Sequence, residues 1–411
     1  MSISDPFLSP TSVLSAQRSC RRAGSWACAW LAVALMVQGP AVCAAPQGTP
    51  QNTQPDGPQP QQLASLDQAW TLAQRRSPEG RAHTLLVRED QGARLLAQDL
   101  SVGLQRFPED SLELVRSMGH AGLQALSERL PWVAVDKRDL LPSARAHSHI
   151  AAGTNYAAHA READIDEVFL FPKFSTPSPA RSELRHEAGQ LLDYEVELCL
   201  RADRDLANLA DLQAAQLGFF LCGDLTDRAE LLRRINTEDL TSGHGFSDAK
   251  SGPGRMPTGP YLVVPRDWRR WLQGVRLRSH VNGQLRQDAA ASDMLKTPDR
   301  LLQQAWQRGL LPLWRYQGRP VPLLESGVLR QGQVLLTGTP EGVVYRAPSL
   351  GFRWRHGLAW FFGLSWLHHG PVRYVLDAQI REGLASGRFL QAGDVLEHSA
   401  EGLGQITVKI R

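Results

Sequence analysis

Two glutamates alternate along an apolar segment, 191–200, that is typical of a β-strand. Successive strand side chains point to opposite faces, so Glu195 and Glu197 share one face with Cys199. Two carboxylates on one face can hold a hard divalent cation, which prefers oxygen ligands. The alternative is an edge strand with a solvated acidic face, and this motif alone favours that alternative.

Other segments carry side chains suited to the same chemistry. The apolar run that begins at Gly218 ends in Asp224, and a lone lysine, Lys250, stands in a loop rich in glycine and proline. Upstream, His159 and Glu162 share a face if their segment is helical, so the carboxylate can orient the imidazole and raise its basicity. If Glu162 and the G-x-N-Y sequence at 153–156 were absent, His159 would be interpreted as a residue that caps a turn. Together these segments favour an acid–base site beside a metal.

In chain order the motifs are G-x-N-Y-x-x-H-x-x-E at 153–162, E-x-E at 195–197, D-x-T-x-R at 224–228, A-K-S at 249–251, P-x-G-P at 257–260, V-N-G-x-L-R-Q at 281–287 and T-G-T-P-x-G-V at 337–343. This ordered set resembles the fumarylacetoacetate hydrolase family, and most closely its acylpyruvase and oxaloacetate decarboxylase branch. The resemblance spans residues 146–344, Gly393-Asp394 and the last strand. It implies a mixed β-sandwich roll.

The resemblance also assigns roles by position. The implied metal ligands are Glu195, Glu197 and Asp224; the implied catalytic residues are His159 and Glu162, on a short lid helix, and Lys250; the implied substrate-binding residues are Arg228, Thr339 and Lys173. The implied ion is Mg²⁺, with Mn²⁺ as an alternative and Ca²⁺ as a third candidate. The family often has an aspartate directly after the arginine and a polar group beyond it, where this chain has Ala229 and Leu231. Substrate identity therefore does not carry over.

The implied activity is cleavage of a C–C bond in a small oxo acid or diketone, such as an acylpyruvate, oxaloacetate or a fumarylacetoacetate-like compound. The metal would offset the charge of the developing enolate, and His159 would take a proton from the attacking water. Decarboxylation, isomerisation or hydration by the same site are alternatives. A second class of hypothesis is a periplasmic binding or scaffold protein that retains the fold without turnover. The intact set of ligands, dyad and lysine favours an enzyme.

The elements that position these residues fall into two predicted parts. Residues 63–142 are predicted to form a small N-terminal α/β domain, with a helix over 64–78, strands at 84–88, 93–97 and 132–135, and a helix over 109–129. Residues 146–411 are predicted to form the catalytic domain, rich in strands and poor in helices, with a hairpin turn at Asn282-Gly283. The expected fold class is α+β, mostly β. Residues 345–388 are predicted to be an insertion.

The first 62 residues are predicted to lie outside the folded part. Arg18, Arg21 and Arg22 precede an apolar run at 26–37 with small residues at 41–45, the pattern of a secretory signal peptide cleaved after Ala44. Residues 45–62 have almost nothing apolar to bury and are predicted to be a disordered linker. We therefore expect a periplasmic or secreted protein. The alternative is anchoring through an uncleaved N-terminal segment.

Charge and composition indicate the kind of partner. A net charge of +3 over 411 residues gives no sign of the clustered cationic surface that nucleic acid requires. We expect a homodimer that acts on a small molecule. The run 358–367, rich in Trp, Phe and Leu, has three interpretations: it covers the active site, forms a dimer seam or rests on a membrane surface, the last being less favoured.

Only Cys199 and Cys222 would remain after cleavage of the signal peptide. Each stands two residues from a predicted ligand. If the two strands are antiparallel, the cysteines approach closely enough for a disulfide, whereas parallel strands would separate them by about 13 Å. Two reduced, buried cysteines are the alternative.

Overall fold

The described part of the chain, residues 61–411 of a computed structural model, is built on two large sheets. The predicted signal peptide and nearly all of the predicted linker lie outside the described residues. The strands are β1 (Ala69–Arg76), β2 (Ala82–Asp90), β3 (Arg94–Asp99), β4 (Val133–Asp136), β5 (Ser148–Gly153), β6 (Phe169–Phe174), β7 (Arg181–Leu184), β8 (Leu192–Asp193), β9 (Val196–Ala202), β10 (Leu217–Gly223), β11 (Thr226–Asp227), β12 (Leu262–Pro265), β13 (Arg276–Val281), β14 (Gln284–Ala290), β15 (Trp314–Tyr316), β16 (Arg319–Val321), β17 (Leu335–Leu336), β18 (Val395–Ala400) and β19 (Gly404–Ile410).

Short helices connect these strands. The α-helices are α1 (Leu100–Leu104), α2 (Ser111–Ser127), α3 (Ala157–Ala163), α4 (Leu209–Ala214), α5 (Arg228–Arg234), α6 (Phe246–Lys250), α7 (Trp268–Leu272), α8 (Pro298–Arg308), α9 (Leu350–Phe362) and α10 (Pro371–Ser386). Single 3₁₀ turns occur at Lys137–Asp139, Leu240–Ser242, Ala291–Asp293, Glu325–Gly327 and Ser365–Leu367.

The larger sheet has ten strands in the order β4-β3-β2-β1-β12-β10-β9-β17-β5-β6. All its pairings are antiparallel except β17 with β5. The second sheet has five strands in the order β14-β13-β18-β19-β7, and only β19 with β7 is parallel. The sheets pack face to face, with β13 against β9 and β10 against β18 and β19. The predicted α+β class with a mixed β-sandwich is therefore confirmed.

The segment predicted to be a small N-terminal α/β domain supplies β1–β4, and these strands continue the larger sheet through the pairing of β1 with β12. The prediction of a helix over 64–78 is wrong. Six consecutive residues of β1, Ala69 to Gln74, are buried because the strand is covered on both faces. A strand buried on both sides loses its period-2 pattern, so spaced apolar residues imitate a helix.

Two further expectations need correction. The catalytic part is not poor in helices, since it contains α3–α10, several of them of only one or two turns. Turns this short bury too few residues to produce a helical period in the sequence. The segment 191–200 is not one strand: β8 ends at Asp193 and β9 begins at Val196. Glu195 therefore lies in a break between two strands.

Residues 345–388 form a helical hairpin, called here the inserted hairpin, in which α9 and α10 pack against each other. Ile380 of α10 packs with Leu191, Ala229 and Leu232, which attaches the hairpin to the body of the protein. Within residues 61–411, no helix combines the length and the apolar composition needed to cross a bilayer.

Cys199 and Cys222 form a disulfide between β9 and β10, with Cα atoms 5.9 Å apart. The two strands are antiparallel, and Cys222 lies opposite Glu197 in the register. The antiparallel alternative is therefore the correct one, and the disulfide joins the two strands that lead to the predicted ligands.

Candidate metal centre

The three predicted ligands meet where β9 begins and β10 ends. Because the strands are antiparallel, with Gly223 opposite Val196, the residue after β10 reaches the residue before β9. The backbone N–H of Asp224 donates to the carbonyl of Glu195 at 2.9 Å. One ligand atom from each of Glu195, Glu197 and Asp224 lies within 4.8 Å of the other two, and all three side chains are buried.

The carboxylate of Glu197 provides a test of whether a cation fits this space. Its Oε2 accepts a hydrogen bond from the N–H of Gly338 at 2.7 Å, whereas its Oε1 is buried with no hydrogen-bond partner among the described residues. Burial, and then the charges of Asp224 and Glu195, raise the pKa of Glu197 well above its usual range. A divalent cation would complete the coordination of Oε1 and offset the clustered negative charge. The donor set therefore fits a hard cation.

The turn that supplies Gly338 depends on that glycine. Gly338 has φ of +95°, and a Cβ at this position would lie 2.9 Å from the Cβ of Asn155. A larger residue would therefore be strained and would displace the N–H that holds Glu197.

Two lysines lie among the carboxylates. Lys250, at the end of α6, donates to Glu195 Oε2 at 2.5 Å and to Asp224 Oδ2 at 2.9 Å. Lys173, in β6, donates to Asp224 Oδ1 at 2.8 Å and also to the carbonyl of Lys250. Burial lowers the pKa of Lys250, but Asp224 and Glu195 outweigh it and the net shift is upward. For Lys173 burial prevails over the charge of Asp224, and the pKa is lowered.

Arg228, at the start of α5, is buried and holds two carboxylates. Its Nε donates to Asp193 Oδ2 at 2.9 Å and its Nη2 donates to Glu195 Oε1 at 2.7 Å. Burial opposes ionisation of Glu195, but Lys250 and Arg228 prevail and its pKa is lowered. These contacts make Arg228 a positioning residue for Glu195, and its assignment to substrate binding stays a prediction.

Asp193 is a residue of the site that sequence reasoning missed. It is fully buried and accepts hydrogen bonds from Arg228 and from the backbone N–H groups of Val344 and Tyr345. It therefore ties the metal centre to the first residues of the inserted hairpin. The available signal was the spacing D-x-E-x-E at 193–197, in which Asp193 precedes Glu195 by two residues.

His159 and Glu162 face each other on α3, with Nδ1 of the imidazole 3.3 Å from Oε2 of the carboxylate. Glu162 also accepts from the N–H of Gly342 at 3.1 Å and pairs with Arg346 at 2.9 Å. His159 is 7% exposed, and it is close enough to Glu195 to help lower the pKa of that carboxyl. The dyad therefore lies near the candidate metal centre. Glu162 is held in place by Gly342 and Arg346, which come much later in the chain.

The hydroxyl of Thr339 makes two hydrogen bonds within the protein. It donates to the carbonyl of Val196 at 2.9 Å and accepts from the side-chain amide of Gln287 at 2.9 Å. Gln287 in turn accepts from the N–H of Val196 at 3.0 Å. This arrangement fixes the start of β9, and a substrate contact by Thr339 stays a prediction.

Tyr156 precedes α3 and was also missed by sequence reasoning, although it belongs to the motif that contains His159. Its hydroxyl is buried and has no hydrogen-bond partner among the described residues. Burial, and then the charge of Glu197, raise its pKa, so the hydroxyl keeps its proton and can donate a hydrogen bond.

Comparison with known proteins adds three findings. The family model for the fumarylacetoacetate (FAA) hydrolase C-terminal domain matches residues 148–411. An uncharacterized protein of Staphylococcus epidermidis is 26% identical over 213 residues, which cover 50% of this chain and 62% of that protein. A mitochondrial oxaloacetate tautomerase of Bos taurus is 26% identical over 265 residues, which cover 61% of this chain and 76% of that protein.

Two solved structures share the fold. A fumarylacetoacetate hydrolase of Exiguobacterium antarcticum superposes with a TM-score of 0.54 at 21% identity, covering 83% of this chain and 99% of its own. A 5-carboxymethyl-2-hydroxymuconate delta-isomerase of Mycobacterium smegmatis gives a TM-score of 0.50 at 19% identity, covering 83% and 98%. At these identities the likeness concerns the fold.

Proposed function

Because the chain belongs to the fumarylacetoacetate hydrolase family, we propose that it is a divalent-metal-dependent enzyme that cleaves a C–C bond in a small oxo acid or diketone. The observation that carries the proposal is the buried group of Glu195, Glu197 and Asp224, in which Glu197 Oε1 has no partner among the described residues. The adjacent dyad of His159 and Glu162 supports a proton transfer beside that group.

The cation would be held by Glu195, Glu197 and Asp224 and would act as a Lewis acid toward two oxygens of the substrate. His159 accepts the proton of the attacking water at Nε2, because Nδ1 faces Glu162. When the C–C bond breaks, the protonated imidazole returns that proton to the carbon of the leaving enolate. Glu162 keeps the imidazole in that orientation and is itself held by Gly342 and Arg346. Tyr156 offers a hydroxyl donor to an oxygen on which negative charge develops.

A tautomerase or isomerase is the second candidate. It is favoured by the name of one relative, the oxaloacetate tautomerase of Bos taurus. The same residues would then break a C–H bond of the substrate and move that proton to oxygen, or the reverse, with every C–C bond left intact. A binding protein without turnover is the third outcome that the experiment must distinguish.

The test combines metal analysis with a product screen. The purified chain is loaded with Mg²⁺ or Mn²⁺ and incubated with acylpyruvates, oxaloacetate and fumarylacetoacetate-like diketones, with and without EDTA, and products are identified by mass spectrometry. Two fragments from one substrate support C–C hydrolysis, and loss of CO₂ supports decarboxylation. Keto–enol exchange alone, followed by NMR, supports the tautomerase. Metal binding without any product would contradict an enzyme acting on this substrate class.

Glu197→Gln is the diagnostic variant, because it removes one ligand charge at nearly constant volume. We expect it to abolish tight metal binding and activity together. The matched control is Glu187→Gln, an exposed carboxylate that is not part of the ligand group, which should behave like the wild type. Full activity of the Glu197 variant after removal of the metal would contradict the proposed role of the ligands.

A further inference from the structure

The outer face of α9 is apolar and open to solvent. Leu350, Trp354, Leu358, Phe361 and Phe362 recur at helical spacing and are all exposed, Phe362 to 76%. Over 13 residues the stripe extends for about 20 Å. Soluble proteins seldom leave a contiguous apolar surface of this kind without a binding partner.

The stripe continues through the turn between the two helices of the inserted hairpin. Leu364, Trp366 and Leu367 are each at least half exposed, and His368 and His369 follow them. We call the exposed stripe of α9 together with this turn the apolar tip. It is separate from the surface by which α10 attaches the hairpin, where Val375, Ala378 and Ile380 are buried.

The exposure of the apolar tip rules out one of the three interpretations offered by the sequence. A segment that covered the active site would bury these side chains against the body of the protein, whereas Gly357 is the one buried residue of α9. The hairpin contacts the dyad through its first residues, where Arg346 pairs with Glu162, and not through the apolar tip. A second copy of the chain and a lipid surface are the remaining candidates.

Charge separates these two candidates. Residues 345–388 contain six arginines against one aspartate and one glutamate. Four of the arginines pair with carboxylates: Arg346 with Glu162, Arg353 with Asp164, Arg355 with Glu382 and Arg373 with Asp377. With Glu162 and Asp164 included, the hairpin keeps a surplus of two positive charges. A two-fold symmetric contact would bring the arginine-rich surface of one copy against the same surface of the other, and like charges in contact are unfavourable. An anionic lipid surface has the opposite charge. Tryptophan, phenylalanine and leucine beside arginine are typical of helices that lie in the membrane interface.

We propose that the inserted hairpin docks on an anionic lipid surface, with the apolar tip embedded among the acyl chains and the exposed Arg355 and Arg381 at the headgroups. This inference does not depend on the proposed enzymatic activity. It also does not depend on the apolar run at 26–37, because the hairpin itself supplies the apolar and cationic groups.

The test measures co-sedimentation of the full chain with vesicles of phosphatidylcholine alone or with about 30% phosphatidylglycerol. We expect binding to the anionic vesicles to weaken at high salt, since screening removes the contribution of the arginines. Phe361→Ser/Phe362→Ser should weaken it by about tenfold or more, because two large apolar side chains lose their burial. The matched control, Leu310→Ser/Leu311→Ser, removes two exposed leucines outside the hairpin and should bind like the wild type.

A second measurement distinguishes membrane insertion of the hairpin from attachment through the N-terminal segment. Brominated acyl chains quench tryptophan that enters the bilayer, and Trp354→Phe/Trp366→Phe should remove the quenched emission that comes from the apolar tip. Equal vesicle binding of the phenylalanine and leucine variants, together with unchanged quenching in the tryptophan variant, would overturn the proposal. So would a Phe361/Phe362 variant that changes from dimer to monomer by light scattering while its vesicle binding stays that of the wild type.

Discussion

Three buried carboxylates in contact would repel one another, and burial of an unpaired charge is costly. Lys250 and Arg228 each pair with Glu195, and Lys173 pairs with Asp224, so the cationic side chains are distributed unevenly. Within residues 61–411, Glu197 is the one carboxylate of the three that has no ion pair, and it accepts a hydrogen bond from a single backbone N–H. This asymmetry explains why the pKa of Glu195 is lowered while that of Glu197 is raised.

His159 is predicted to be a general base and not a metal ligand. His159→Ala should reduce turnover by about 10²–10⁴-fold, the usual contribution of a positioned general base, while the bound metal stays at the wild-type level. The measurement is steady-state kinetics together with metal analysis of the same preparation. His368→Ala, in an exposed histidine of the inserted hairpin, is the control. Loss of metal from the His159 variant would make the imidazole a ligand and contradict the mechanism.

At the scale of elements, β9 and β10 are the pair that creates the centre. Their register brings Asp224 beside Glu195, and the disulfide between Cys199 and Cys222 fixes the two strands to each other. The turn after β17 then donates three hydrogen bonds: from Gly338 to Glu197, from Thr339 to Val196 and from Gly342 to Glu162. One short segment thus holds Glu197, the start of β9 and Glu162 of the dyad.

Removal of the disulfide should destabilise the protein without changing the fold. Cys199→Ala/Cys222→Ala opens a covalent loop with a sequence separation of 23 residues, and in the chain-entropy model this costs about 3 kcal/mol. Urea unfolding with and without reductant measures the effect: reductant should lower the stability of the wild type and leave the variant unchanged. Thiol titration of the denatured, unreduced proteins should give the same number of free thiols in the wild type and in the variant. Two additional thiols in the wild type would contradict the bond.

At the scale of the whole molecule, stability should depend on pH through a buried histidine. His398 in β18 is fully buried, neither ring nitrogen has a partner among the described residues, and burial, with a smaller effect of His280, lowers its pKa to about 3. In the unfolded chain the His398 imidazole binds a proton near its ordinary pKa of 6.5, whereas in the folded protein the imidazole stays neutral at that pH. Folding stability therefore falls as the pH is lowered from about 6.5 toward 3.

The variant His398→Leu tests this. Between about pH 7 and about pH 5 the wild type should lose about 2 kcal/mol more than the variant, because each pKa unit corresponds to about 1.4 kcal/mol. Urea titrations at the two pH values measure the difference. Exposed His147→Leu is the control and should follow the wild type. Identical pH dependence of the His398 variant and the wild type would show that this imidazole titrates normally.

Export is a second property of the whole molecule, and it stays a prediction. If residues 1–44 are a signal peptide, intact-mass measurement of protein from the native host should give a chain that starts near Ala45. Fractionation should place that chain in the periplasm or the medium. A mass that includes the first 44 residues would instead support an N-terminal anchor.

The sequence by itself determined the family, the α+β class and the set of carboxylates. Several short motifs in a fixed order identify a fold even when each is weak, and period-2 alternation requires only local geometry. The resemblance carried by these motifs assigned Glu195, Glu197 and Asp224 to a common site, although residues 191–200 are not one continuous strand. The strands β2, β3 and β4 and the helix α2 were predicted from local periodicity, which does not depend on distant neighbours.

Only the tertiary structure decided what depends on neighbours distant in the chain. Whether β9 and β10 are antiparallel, and so whether Cys199 meets Cys222, is a matter of sheet topology. That β1 is a strand follows from its pairing with β2 along one edge and with β12 along the other, and six consecutive buried residues leave no alternation in its sequence. That Arg228 and Lys173 hold carboxylates, and that the apolar face of α9 is open to solvent, follows from which elements pack together. Local periodicity shows that a face is apolar, but long-range packing decides what covers it.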